Sequence, residues 1–166
     1  MRVIFTTHAH RSDGCDMGVF GRSMLPIVER MALVDGTQGI EIYDELKPLP
    51  YEVVIKKRRF SAFYGTDLDI VLRSSGIEAV IISGVTTENC CHATARDALF
   101  HNYGVIFLSD ATGTFDYRDL GYGAMSAEEV HRASLIILAA STAHVMTVNE
   151  MIALTKMAKA TGVGVA

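Results

Sequence analysis

Apolar residues fall into five short runs along the chain: residues 2–7 (RVIFTT), 52–57 (EVVIKK), 79–85 (AVIISGV), 104–111 (GVIFLSDA) and 144–148 (HVMTV). Each has strand length and is rich in β-branched residues, and segments with helical signals lie between them. That alternation predicts an α/β fold with a mainly parallel sheet and helices on both faces, a three-layer α/β/α arrangement of Rossmann-like type. Thr66 followed by Asp67, Leu68 and Asp69 reads as a capping box, and with Ile70, Val71 and a closing Gly76 it predicts a helix over roughly 67–75. Ser126 with Glu129 three residues on is a second box, opening a helix whose Val130, Ala133, Ser134, Ile137 and Ala140 share a face. Residues 149–162 form a further helical segment. Residues 8–50 lack strong periodicity and read as a loop-rich excursion with one short helix near 24–31. With no repeat, low-complexity tract or linker, the expectation is one domain over residues 1–166.

The pattern also places candidate chemistry. After the third run comes GVTTENCCHATARDA, residues 84–98. With Thr87 as N-cap, Glu88, Asn89 and Cys90 fill the first turn, where free N–H groups and the helix dipole favour a thiolate. Cys91, Ala95, Ala98 and Leu99 recur at helical spacing and form the stripe expected to pack on the sheet, which makes Cys91 a core residue. Cys90 lies off that stripe, at the carboxyl end of a parallel strand, the edge at which open α/β sheets bind ligands. Position alone leaves it either a nucleophile or a small buried residue. The second run ends in Lys56 and Lys57 and continues into Arg58 and Arg59, a concentration of cations at another strand's carboxyl end. A lysine near a thiol stabilises the thiolate and developing negative charge, whereas the alternative reading of such a run is a solvated basic turn.

Composition narrows the partners. Of 166 residues, 49% are hydrophobic and 20% charged, which excludes disordered and collagen-like classes. A net charge of -4 leaves no basic stripe for nucleic acid, so a small molecule is the expected partner. Three cysteines, an odd number without a signal-peptide pattern, fit reduced thiols in a cytoplasmic protein. The longest apolar run, near 134–143, is too short and too rich in small residues to cross a membrane.

Two segments in the same order resemble one known family. GVTTENCCHATARDA is similar to the nucleophile segment of the isochorismatase-like cysteine hydrolases, and KKRRFSAFYGTDLD, residues 56–69, is similar to their lysine segment. The resemblance extends from residue 1 to about 150. THAHRSD at 7–13, SDATGTFDY at 109–117 and AMSAEEVHRA at 124–133 bring it nearest to the ureido and amide hydrolases: ureidoacrylate amidohydrolase, biuret hydrolase and N-carbamoylsarcosine amidase. It implies the isochorismatase-like fold, Cys90 as nucleophile, Lys57 as catalytic lysine, a cis peptide bond at Val85–Thr86, and an oxyanion hole from the amides of Thr86 and Cys90. The implied activity is hydrolysis of a C–N bond in a small linear amide or ureido compound through a cysteine thioester, releasing ammonia or an amine. It further implies no cofactor and a homo-oligomer, dimer or tetramer.

One family feature has no counterpart in this sequence. The family's catalytic aspartate ends its first strand, and RVIFTTHAH resembles the second, so the chain is expected to lack the first strand with its general acid/base. Asp13, Asp16 and Glu88 are the conceivable substitutes. A catalytically impaired fragment serving as a binding or subunit-interaction module is therefore one alternative function. A metal-dependent, nicotinamidase-like amidase is another, because His8 and His10 alternate on a strand and share a face; without a third ligand in the pattern, no metal is expected and the two histidines are read as lining the pocket or making hydrogen bonds. His92, His101, His131 and His144 fall in helix or strand patterns and read as satisfied or surface histidines. The glycine- and aromatic-containing segment 110–126 is either a lid or an ordinary connection. Arg59 and Arg118, with Phe63 and Tyr117 nearby in sequence, are the candidates for contacting substrate.

Overall fold

A computed structural model describes residues 1–24, 27, 29 and 32–161. The five apolar runs become strands: β1 (Ile4–His8), β2 (Val53–Lys57), β3 (Ala79–Val85), β4 (Gly104–Gly113) and β5 (His144–Met146). All pair in parallel, β1 with β2 and, separately, β3 with β4 and β4 with β5. Among the described residues the helices are α1 (Phe20–Ser23), α2 (Leu68–Ser74), α3 (His92–Phe100), α4 (Ala127–Ser141) and α5 (Val148–Thr161). This is the α/β class with mainly parallel strands that the alternation predicts. Of the helix expected near 24–31, residues 25, 26, 28, 30 and 31 lie outside the described residues, as does residue 162 of the last expected helix.

The chain divides into two compact units, Met1–Leu68 and Asp69–Ala166. In the first, β1 and β2 run in register from Ile4 opposite Val53 to His8 opposite Lys57. Its core contains Ala9, Met17, Ile27, Ile55, Ala62 and Phe63. Residues between the strands carry short 3₁₀ turns at Gln38–Ile40 and Asp44–Leu46.

The second unit is built on β3–β4–β5 around Phe107, which is fully buried, with Ile82, Val105 and Met146. The β3–β4 register breaks after Ile82–Phe107 and resumes at Gly84–Thr112, so β4 bulges over residues 108–111. A bulge leaves backbone groups outside the ladder. Here the Ser109 carbonyl accepts from His131 Nε2, 2.9 Å away on α4.

Helix ends follow local chemistry with one departure, at the start of α2. Ser126 accepts from the Glu129 amide while the Glu129 carboxylate accepts from the Ser126 amide, a complete capping box. At α2 only half a box forms: Thr66 Oγ1 accepts from the Leu68 amide at 3.2 Å, but Asp69 instead accepts from Arg73 and Tyr103. Gly76, at φ +63°, closes α2 in the left-handed conformation that glycine tolerates. The α4 stripe also differs from the expected one. Val130, Ser134 and Leu138 are its buried positions, whereas Ile137 is 49% exposed and Ala140 is exposed, because a strict i, i+4, i+8 row selects Leu138 over its apolar neighbour.

Candidate active site

In the first unit, strand alternation decides between the adjacent lysines. Ile55 and Lys57 point to the buried face of β2, while Val54 and Lys56 point outward. Lys56 pairs with Asp35 at 2.8 Å on the surface. Lys57 is only 3% exposed, and its Nζ donates to the Arg59 carbonyl at 3.0 Å. Because the strands are parallel and in register, His8 stands opposite Lys57 at the same strand end.

β1 ends at His8, and His10 forms a separate parallel bridge to Val34. The two histidine rings meet with Nε2 atoms 3.2 Å apart, so one ring donates and the other accepts. Phe20 lies 5.5 Å from the His8 ring and 5.7 Å from the His10 ring. His10 is fully buried, with Nδ1 3.4 Å from Asp16, a separation longer than a good hydrogen bond. Asp16 is otherwise held by Arg58 Nε at 2.7 Å and by the Arg11 amide. Burial depresses the basicity of both histidines. For His8, burial followed by the Lys57 cation takes the pKa from 6.5 down to about 3. An unfolded chain protonates this ring near 6.5 and the folded chain does not until about 3, so the unfolded state holds the extra proton across that window. Stability therefore falls as pH drops through it, by on the order of 2–4 kcal/mol. His8→Gln removes the titration, and denaturant unfolding at pH 7 and pH 4 should show a smaller difference in this variant than in the wild type.

In the second unit, β3 ends at Gly84 (φ +116°) and Val85, and the Val85–Thr86 peptide bond is cis. Thr86, rather than Thr87, is the extended N-cap residue. Residues Thr87–Cys91 form a π-helical turn that runs directly into α3. Three sets of side-chain contacts hold this turn. Thr87, fully buried, contacts His131 Nδ1 through its hydroxyl at 2.9 Å. Because the Ser109 carbonyl can only accept, His131 Nε2 carries a proton, and in the neutral ring Nδ1 accepts from Thr87. Thr94 Oγ1 donates to the Cys90 carbonyl at 2.6 Å. The Glu88 carboxylate receives Thr86 Oγ1 at 2.8 Å, Asn89 Nδ2 at 2.8 Å and the Tyr117 hydroxyl at 2.7 Å. Burial pushes the Glu88 carboxyl upward, and its polar contacts, with Thr114 nearby and hydrogen bonds from Tyr117 and Thr86, outweigh it, leaving the group below the usual carboxylate range. Tyr117 is raised to about 12 by burial and by its bond to Glu88. Replacing His131 with Phe strands the Thr87 hydroxyl and the Ser109 carbonyl; thermal unfolding of His131→Phe should show a loss of about 1–3 kcal/mol.

The three cysteines have distinct settings. Cys91, Ala95 and Ala98 are buried, as the helical stripe requires, but Leu99 is 40% exposed and falls outside it. Cys90 is half-buried. Cys15 is exposed, and its hydrogen bond with Asp13 raises the thiol pKa.

The structure thus gathers His8, His10, Lys57 and Arg59 in the first unit, and Val85, Thr86, Cys90 and Tyr117 in the second. Arg59 Nη1 is committed to the carbonyls of Asp16 and Arg58, with its guanidinium over the Phe20 ring. Phe63, expected to touch substrate, belongs to the first unit's core at 7% exposure. The Tyr117 hydroxyl, expected to face substrate, spends its proton on Glu88. Arg118 is exposed. Segment 114–126 is closed at its neck by paired backbone bonds between Tyr117 and Met125, and Asp119 accepts from Gly121 and Gly123. Among the described residues, no three His, Cys, Asp or Glu side chains are arranged to hold a metal ion. The His131–Thr87 link escaped sequence reading, since the partners are 44 positions apart and no local pattern joins them.

Residues 1–150 match the isochorismatase domain. The chain belongs to the isochorismatase family. This member is 35% identical over 152 residues to nicotinamidase 3 of Arabidopsis thaliana, covering 90% of this chain and 68% of the relative. Among solved structures it is similar to a cysteine hydrolase from Pseudomonas syringae pv. phaseolicola 1448A, with a TM-score of 0.89 at 38% identity, covering 95% of this chain and 73% of that one. It is also similar to N-carbamoylsarcosine amidase from Thermoplasma acidophilum, with a TM-score of 0.65 at 27% identity, covering 89% of this chain and 72% of that one. The isochorismatase-like cysteine hydrolases are a hydrolytic family, and no helix among the described residues is long and apolar enough to cross a membrane.

Proposed function

We propose that this chain hydrolyses a C–N bond in a small linear amide or ureido compound, with Cys90 as nucleophile. The Cys90 thiolate attacks the carbonyl carbon, and the oxyanion is held by the amides of Thr86 and Cys90. The proton that leaves the Cys90 thiol goes to the departing nitrogen, so the C–N bond breaks with release of ammonia or an amine, and water then hydrolyses the thioester to a carboxylic acid and returns a proton to the Cys90 sulfur. Lys57, whose ammonium is buried in the first unit, is the catalytic lysine that the family resemblance implies. The observation that carries this reading is the setting of Cys90: alone among the cysteines it is half-exposed on a turn fixed through Glu88, His131 and Thr94, while Cys91 is buried and the Cys15 thiol has a raised pKa. The likeness to N-carbamoylsarcosine amidase favours a ureido substrate, and the likeness to nicotinamidase 3 favours nicotinamide as the second reading.

The discriminating experiment is ammonia release from ureidoacrylate, biuret, N-carbamoylsarcosine and nicotinamide in parallel. Turnover of a ureido compound supports the proposal, and turnover of nicotinamide alone moves the chain to the second reading. Silence across the panel contradicts both and favours the binding-module alternative.

A further inference from the structure

The mechanism above makes no use of the most densely bonded carboxylate in the second unit. Glu88 Oε1 receives three donors, from Thr86, Asn89 and Tyr117, and Asn89 Nδ2 also donates to the Tyr117 hydroxyl at 3.0 Å. One of the donors, Asn89, belongs to the turn that carries Cys90, and another, Thr86, is its N-cap. The third comes from a different element, the segment closed by the Tyr117–Met125 bridge. This segment is itself anchored, because the Ala127 amide at the start of α4 donates to Asp116 at 2.7 Å. The turn is a π-helical one, whose wider ring leaves the backbone less constrained than an α-turn. A side-chain hub of this kind supplies the missing constraint.

We infer that Glu88 and Tyr117 are positioning residues for the nucleophile: the carboxylate, tethered from segment 114–126 by the Tyr117 hydroxyl, holds Thr86 and Asn89 and so sets the placement of the Cys90 thiol and the turn amides. This rests on Cys90 being the nucleophile. The hub costs little to preorganise, because a charged acceptor with aligned neutral donors makes hydrogen bonds about twice as strong as neutral pairs. It also gives Tyr117 a role that requires no contact with substrate.

The test is iodoacetamide labelling at pH 7, followed cysteine by cysteine by mass spectrometry in the wild type, Tyr117→Phe and Glu88→Asp. The first variant removes one donor; the second keeps the charge but withdraws the carboxylate by a methylene. Both should slow labelling of Cys90 by about 3–10-fold, the rate equivalent of one lost hydrogen bond, while Cys91 stays as protected as in the wild type. Unchanged Cys90 labelling in Tyr117→Phe overturns the inference. So does a rise in Cys91 labelling in Tyr117→Phe, since a merely structural contact opens the turn and exposes its buried neighbour. If Glu88→Asp does not fold, Tyr117→Phe decides alone. Wild-type Cys90 labelling no faster than Cys15 overturns the nucleophile assignment, and this inference with it; a selective wild type with indifferent variants overturns this inference only.

Discussion

Cys90→Ala should lose C–N hydrolysis by at least about 10⁴-fold, the scale on which removal of a covalent nucleophile acts. Alanine retains the helical backbone, so Thr94 still finds the residue-90 carbonyl and the Glu88 hub still closes. The protein should remain folded, with an unchanged thermal midpoint. Cys91→Ala is the matched control. It removes a sulfur from a buried position and costs stability, yet leaves the reacting group in place. Steady-state ammonia release with both variants separates the roles: activity lost in the first and kept in the second is the expected pair of results. Equal losses, or residual turnover in Cys90→Ala near the wild-type rate, would remove Cys90 from the mechanism.

Phe107→Ala should be the most damaging core substitution in the second unit. Phe107 is fully buried on the central strand of the β3–β4–β5 sheet. Truncating a buried phenylalanine costs about 3–5 kcal/mol, as lost transfer energy plus the cavity left behind. For a unit of this size each kcal/mol moves the thermal midpoint by roughly 4–8 °C, so a drop of at least about 12 °C is expected in calorimetry. Phe100→Ala is the contrast, since that ring is 73% exposed. It should change stability by no more than about 0.5 kcal/mol.

Much of this architecture was legible because it depends on local pattern. Runs such as AVIISGV are too short and too β-branched for a helix, and all five became parallel strands. Ser126 and Glu129 announced α4, and their box is complete. Alternation from Ile55 also separates buried Lys57 from surface Lys56 once the strand is placed. The misses have physical causes too. The LIIL stretch of α4 offers overlapping apolar rows, and only packing chose Leu138 over Ile137. The extra residue of a π-turn moved the N-cap from Thr87 to Thr86, a shift that no capping pattern encodes. The Glu88–Tyr117 and Thr87–His131 contacts join residues 29 and 44 positions apart, and sequence spacing carries no record of them. Tyr117 shows the consequence: an aromatic residue in a glycine-containing segment reads as substrate-facing, while its hydroxyl is turned to an internal carboxylate.

The most direct test of the central claim is acid-quench mass spectrometry during turnover of the substrate identified in the ammonia panel. The account requires an acyl adduct on the peptide containing Cys90, absent from Cys90→Ala and discharged when substrate is exhausted. Turnover with no adduct on that peptide, or with the adduct on Cys15 or Cys91, would contradict it.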